Sequence, residues 1–429
     1  MDPGDRVDAY VKLLRANGPT FQPLGEGSYR FVVPRFQAIF EVDYLRRDGG
    51  QLKGEVLVRC ELPGAQSVDG TLTVSDVNLS STRTRASFAK DLASLARTRK
   101  PAEEDEWRGL VEEFALRVLA TERQGEPAVW LGEVAEPEGE RLLYVDGFPL
   151  LQNHPLILFG DGGTGKSMLA LYFAGMLAKQ GRSVGLFDWE LDSAEHRKRL
   201  GQLFIGPLPK IRYVRCSHPF CREAERLRRV VKEDKLDFIV FDSVGYACDG
   251  PPEAAEQAMR YFQALRSLGP IGSLHIAHVR GAVEGGDLRP FGSVFWSNSA
   301  RSTWNIKPAA RESGDNKLQL ALHHRKFNTS GKMKSVGFEI LFVRGRVGVS
   351  RLNLADVQEL ATQLGLRERV RMELKRGPLS KEQLRASLDD VKEDTFRRIL
   401  NREKKDGRVL EFPDGKLYLP ERLYGKPDE

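Results

Sequence analysis

Between residues 140 and 350 the hydrophobic positions fall into short unbroken runs separated by helical segments. LILF (156–159), SVGLF (183–187), FIVF (238–241) and SLHIA (273–277) are apolar or small at nearly every position, which suits central parallel strands covered by helices on both faces. Segments 167–179 and 253–267 repeat apolar residues at helical spacing and complete βαβ units. The pattern predicts an α/β domain with a parallel central sheet over residues 131–350.

The flanks follow other periods. Residues 1–130 predict an α+β domain: a short helix over 7–16, β-rich stretches over 29–33, 37–44, 55–62 and 71–77, and helical segments over 84–96 and 107–120. RTRKPAEEDE (97–106) mixes proline with dense charge and reads as a linker or an exposed helix entry. EVAEPEGE (133–140) is a second polar stretch. Residues 361–429 are charged and short-helical, with three helical segments broken at Gly377-Pro378 and around 389–392. RVLEF and KLYL follow, joined by Pro413-Asp414-Gly415, a hairpin-turn signal.

Composition narrows the class. A chain of 429 residues, 41% hydrophobic and 29% charged, is long enough for two or three domains, because single cores stop growing at about 250–300 residues. It contains no apolar run approaching the roughly 18 residues of a membrane span. MDPGDRVDAYVKLL lacks a basic start and an apolar signal core, so the expected location is the cytoplasm. The net charge of +6 allows contact with a polyanion only if the excess is localised. Cys60, Cys216, Cys221 and Cys248 are too sparse for a disulfide framework. Cys216 and Cys221 flank His218, but no second ligand pair has zinc spacing, so reduced structural thiols are expected.

The richest chemistry lies in GDGGTGKS, Gly160-Asp161-Gly162-Gly163-Thr164-Gly165-Lys166-Ser167, a full match to G-x-x-x-x-G-K-[ST] between a strand and a helix. Glycines let the backbone curl so that N–H groups face phosphate oxygens, and the helix N-terminus adds its positive dipole end. Lys166 is then expected to reach the β and γ phosphates of ATP, and Ser167 to hold Mg2+. A metal–triphosphate site needs a carboxylate at the end of a second strand, and Asp242 directly follows FIVF. Hydrolysis also needs a base. SVGLFDWELDSAEHRKRL offers Asp188, Glu190 and Asp192 past a strand and ahead of a helix.

Together, the phosphate loop, the acidic turn before DSAEHRKRL, the strand ending in Asp-Ser and the strand ending in Ala277-His278-Val279-Arg280 resemble the RecA-like ATPases. The similarity is greatest to the RepA-type hexameric helicases of plasmids and phages, over about residues 140–345. The resemblance implies that Glu190 is the catalytic base and that His278 senses the γ-phosphate, although relatives often carry two adjacent histidines where this chain has Ala277-His278. It implies a DNA-binding loop over 280–291, with Arg280 and Arg289 touching phosphates in a central channel. LALHHRKFNTSGKMKSVGFEILF resembles the segment that supplies a basic residue to the neighbouring subunit's ATP, with Arg325 and Lys326 as candidates. A finger acting in trans implies a homo-oligomer, a hexameric ring in this family.

The C-terminal pattern of three helices and a β-wing resembles the winged helix-turn-helix. Its third helix, 393–405, turns Phe396, Ile399 and Leu400 inward and leaves Arg397, Arg398, Asn401, Arg402 and Lys405 outward, residue types that contact phosphates and base edges. NLSSTRTRASFAKDL in the N-terminal region carries no recognisable chemistry. The expectation is a cytoplasmic, magnesium-dependent ATPase and DNA helicase. A filament-forming recombination ATPase and an ATP-switched DNA-binding regulator are the alternatives.

Overall fold

The computed structural model describes residues 18–25, 27–97, 101–125, 128–135, 142–278, 290, 292–309, 316–327, 333–357, 360, 364–388 and 391–423. The helix expected over 7–16 lies outside these residues, as does the loop expected over 280–291 except Pro290. The chain divides into two compact units, 1–136 and 137–429.

In the first unit, β1 (Thr20–Gly25), β2 (Ser28–Val33), β3 (Ala38–Asp48), β4 (Gln51–Cys60) and β5 (Thr71–Asn78) form an antiparallel meander in sequence order. Gly49 and Gly50, both at positive φ, close the β3–β4 hairpin as a tight two-residue turn requires. Two helices, α1 (Thr82–Leu95) and α2 (Pro101–Gln124), cover one face. Ser81 caps α1 by accepting from the Thr84 amide at 3.2 Å. The acidic run expected as linker or helix entry is the first turn of α2, where a leading proline costs no hydrogen bond. Phe114 stacks on Phe31 and packs against Phe40, and the buried Arg85 on α1 pairs with Glu112 on α2 at 2.8 Å.

The second unit begins with a hairpin, β6 (Leu142–Val145) and β7 (Phe148–Leu151), and continues as βαβ units. These run β8 (Pro155–Gly160), α3 (Lys166–Lys179), β9 (Val184–Asp188), α4 (Ser193–Leu203), β10 (Ile211–Arg215), α5 (Phe220–Glu233) and β11 (Phe238–Asp242). Then come α6 (Val244–Ala247), α7 (Ala255–Arg266), β12 (Gly272–His278), α8 (Val294–Ser299), β13 (Ser302–Pro308), β14 (Lys317–Phe327), β15 (Val336–Val343) and β16 (Arg346–Leu352).

Strands β8 to β16 form one sheet in the order β10-β9-β11-β12-β8-β13-β14-β15-β16, apart from the β6-β7 hairpin. They are parallel from β10 to β13 and antiparallel beyond. This mostly parallel sheet fits a RecA-like ATPase core. Separate hydrophobic clusters fill its two sides, one around α3 and the other around α5 and α7. The register aligns Asp242 with Asp188 and His278 with Gly160, so the carboxyl ends of four strands share one edge. Ligands of open α/β sheets bind outside that edge.

Last come α9 (Leu366–Arg376), β17 (Leu379–Ser380), α10 (Lys381–Ala386), α11 (Glu393–Lys405), β18 (Leu410–Glu411) and β19 (Lys416–Tyr418), with strand order β17-β19-β18. Val370, Leu374, Leu384, Phe396, Leu400 and Leu417 form their core. Glu403 on α11 is fully buried and held by Arg371 at 2.6 Å and Arg367 at 3.6 Å. No described helix is long and apolar enough to cross a membrane.

Two helical glycines test the packing. A Cβ on Gly175 of α3 would stand 2.3 Å from Cζ of Phe204, whereas one on the exposed Gly109 of α2 would meet nothing within 4 Å. Alanine gains about 1 kcal/mol over glycine in a helix, and overpacking costs about 1–3 kcal/mol. The clash therefore outweighs propensity at Gly175 only. In thermal unfolding followed by circular dichroism, Gly175→Ala is expected to lower Tm and Gly109→Ala to raise it. Shifts of the same sign would contradict the packing of α3.

Candidate active site

The turn between β8 and α3 is built by its glycines. Gly163 and Gly165 sit at φ +71° and +75°, which L side chains rarely adopt, and a Cβ on Gly160 would come within 2.7 Å of the Ile306 carbonyl oxygen. Lys166 opens α3 only 5% exposed, and its ammonium turns back into the loop. It donates to the carbonyl oxygens of Gly160 at 2.9 Å and Asp161 at 2.5 Å and reaches Thr164 Oγ1 at 3.3 Å. Burial pushes the Lys166 pKa down, while the charges of Asp161, Asp242 and Glu190 push it up. A buried ammonium met only by neutral oxygens is ready to exchange them for anionic ones.

Ser167, next on α3, donates to Asp242 Oδ1 at 3.2 Å. Asp242 ends β11 with 2% exposure, and its pKa is raised to about 6, first by burial and then by the charges of Glu190 and Asp188 against the Ser167 hydrogen bond. A hydroxyl and a carboxylate side by side, with the carboxylate short of positive charge, form a hard-oxygen donor set suited to Mg2+.

The acidic turn after β9 separates its three carboxylates by environment. Asp188 is fully buried and accepts the amides of Glu190 and Leu191 at 3.0 Å and the Tyr213 hydroxyl at 3.0 Å. His196 Nε2 stands 3.4 Å away without hydrogen-bond alignment. Burial pushes the Asp188 pKa up, but His196 and the two amides outweigh it and hold the group below the ordinary carboxylate range. Asp192 caps α4 through the Glu195 amide at 2.8 Å. Glu190 remains exposed at the tip, its charge felt at Lys166, Asp242 and His278. Of the three, it alone has a carboxylate not committed to holding the turn.

His278 ends β12 as an exposed residue whose imidazole is partly shielded from water, and its pKa is lowered first by that partial burial and then by the Lys166 charge. A neutral imidazole there can donate to a phosphate oxygen. His275 lies fully buried between the Tyr261 hydroxyl and Ser273 Oγ, both at 2.8 Å, with its pKa lowered by burial to about 3. It is a satisfied core residue.

Lys166, Ser167, Glu190, Asp242 and His278 thus converge on one sheet edge. The other sequence candidates lie elsewhere. Lys326 donates to the carbonyl oxygens of Ser297, Asn298 and Ala300 at 2.6, 2.8 and 3.0 Å, which caps α8 from its own chain. Arg325 is half-buried on β14, with Nη2 at 3.4 Å from Asn305 Oδ1. Arg280 and Arg289 lie outside the described residues. Arg397, Arg398, Asn401, Arg402 and Lys405 are all exposed on α11.

Among the described residues no three histidine, cysteine or carboxylate side chains come together as a metal site. Burial raises the Cys216 and Cys248 thiols to about 12. Sequence reasoning passed over Asn305 and Lys307. The available signal was an amide and an ammonium two residues apart in STWNIKP, a largely buried strand beside β8.

The family model described as an AAA domain matches residues 120–280, a span that contains the phosphate loop, Glu190, Asp242 and His278. No curated protein matches the chain. Among solved structures, it is similar to a KaiC-like protein from the hyperthermophilic archaeon Pyrococcus horikoshii. That match has 18% identity over 48% of this chain and 92% of that one, with a TM-score of 0.37. It is also similar to the flagellar accessory protein FlaH from Methanocaldococcus jannaschii, with 16% identity over 47% of this chain and 91% of that one and a TM-score of 0.35. The family match and the strand, phosphate loop and helix at the sheet edge together support a RecA-like ATPase domain within this chain.

Proposed function

We propose that the chain is an ATP-hydrolysing motor on DNA of the RepA-helicase type, a homo-hexameric ring that translocates on single strands in replication of a plasmid, phage or other mobile element. The convergence of Lys166, Ser167, Glu190, Asp242 and His278 carries the ATP-hydrolysing part of this reading. Lys166 holds the β and γ phosphates, Glu190 orients the attacking water and accepts its proton, and His278 contacts the γ-phosphate. Ser167 and Asp242 hold Mg2+, which neutralises phosphate charge when bound. Arg325 stabilises the phosphate of the neighbouring subunit from across a head-to-tail interface.

The DNA reading draws support from the C-terminal segment. Three helices and a small sheet in the order β17-β19-β18 suit a winged helix-turn-helix. The exposed Arg397, Arg398, Asn401, Arg402 and Lys405 on α11 give it a cationic outer face. Arg280 and Arg289 are assigned to the channel loop.

ATP turnover is expected to rise with single-stranded DNA and to fall at least a hundredfold in Lys166→Ala. Light scattering with nucleotide is expected to give the mass of six copies. DNA-independent turnover by a stable monomer would remove the motor, and slow turnover with tight binding to one duplex site would identify a regulator.

Glu190→Gln separates chemistry from binding. Its kcat is expected to fall about 10²- to 10⁴-fold while the nucleotide Kd stays near wild type. An unchanged kcat would move the base elsewhere.

A further inference from the structure

Asn305 sits in β13 with 2% exposure, hydrogen-bonded in register to β8 on one side and β14 on the other. Asparagine is unfavourable in a central strand, and a buried amide is costly unless both of its ends are partnered. Both ends have partners here. Nδ2 donates to the Phe159 carbonyl oxygen at 3.2 Å, and Oδ1 accepts from Arg325 Nη2 at 3.4 Å, the long end of the hydrogen-bond range. Phe159 immediately precedes Gly160, whose own carbonyl holds the Lys166 ammonium at 2.9 Å. One side chain therefore joins the strand leading into the phosphate loop to the arginine on β14.

Lys307 supports this proximity. It lies two residues along β13, on the same face as Asn305. Its ammonium is pushed below its ordinary pKa by burial and then by Arg325, and pulled back up by Asp161 of the phosphate loop. Arg325 and Asp161 thus both act on this one cation.

We propose that Asn305 is a positioning residue: it fixes the Arg325 guanidinium relative to its own subunit's phosphate loop, so that nucleotide in one site governs the cation offered to the next. This rests on the assignment of Arg325 to the neighbour's ATP. Burial favours such a device, since a guanidinium that is half-buried and anchored loses less entropy when it meets phosphate than a free surface arginine does.

The test is a double-mutant cycle on full-length protein, reading kcat for ATP and, separately, nucleotide affinity. Asn305→Ser, too short to reach Arg325, is expected to lower kcat about tenfold with Kd for Mg–ATP within twofold of wild type. Asn305→Asp keeps an acceptor for Arg325 but has no donor for the Phe159 carbonyl oxygen, so it cuts the tie to the phosphate loop and is expected to stay as low in kcat as Asn305→Ser. In an Arg325→Ala background Asn305→Ser is expected to change kcat no further, because two residues acting through one contact do not add. Should Asn305→Ser fail to assemble, Asn305→Ala carries the same expectation. Additive losses, an unchanged kcat in Asn305→Ser, or wild-type kcat in Asn305→Asp would overturn the proposal. Wild-type turnover by Arg325→Ala would overturn the trans assignment itself, and this inference with it.

Discussion

The second unit is organised around a buried ammonium that its own loop satisfies only with neutral oxygens. Lys166 reaches two carbonyl oxygens and one hydroxyl, all contributed by residues 160–164. That arrangement needs glycine at two left-handed positions and at the close approach to Ile306. It also needs β8 to end beside β12 and β13, so that the loop opens onto the edge where Asp242 and His278 emerge. Any phosphate entering there offers Lys166 an anionic acceptor in place of neutral oxygens, adding the attraction of opposite charges to bonds that so far carry charge on the donor alone.

The acidic turn shows how one short segment divides its labour. Asp188, Glu190 and Asp192 are equivalent as letters, yet the fold commits the first to two backbone amides and a tyrosine and the third to a helix cap. The exposed carboxylate is left at the tip because the other two hold it there. The Trp189 amide, bonded to the Asp242 carbonyl at 2.7 Å, locks the turn to the strand bearing the Asp242 carboxylate. Side-chain chemistry at Glu190 and Asp242 is therefore coupled through backbone geometry.

Much of this was legible in the sequence, for physical reasons. Strands buried on both faces must be apolar at every position, so β8, β9, β11 and β12 stood out, and the glycine pattern of a phosphate loop has few other uses. The C-terminal helix breaks and the Pro413-Asp414-Gly415 turn were visible because proline and glycine leave the backbone few choices. What remained hidden depended on partners distant in sequence. β10 is an edge strand with half-exposed residues, and β1 carries a proline, so neither shows a clean period. Lys326 reads as a free cation until β14 is laid beside the end of α8. Asn305 reads as a defect in a strand until Phe159 and Arg325 are placed on either side of it.

The most direct measurement is calorimetric titration of the purified chain with a non-hydrolysable ATP analogue, with and without Mg2+. One saturable site per chain is expected, with a Kd in the micromolar range or below that weakens at least tenfold without the metal or in Asp242→Asn. An absence of binding heat at millimolar nucleotide and Mg2+, or an affinity indifferent to both the metal and Asp242, would contradict it.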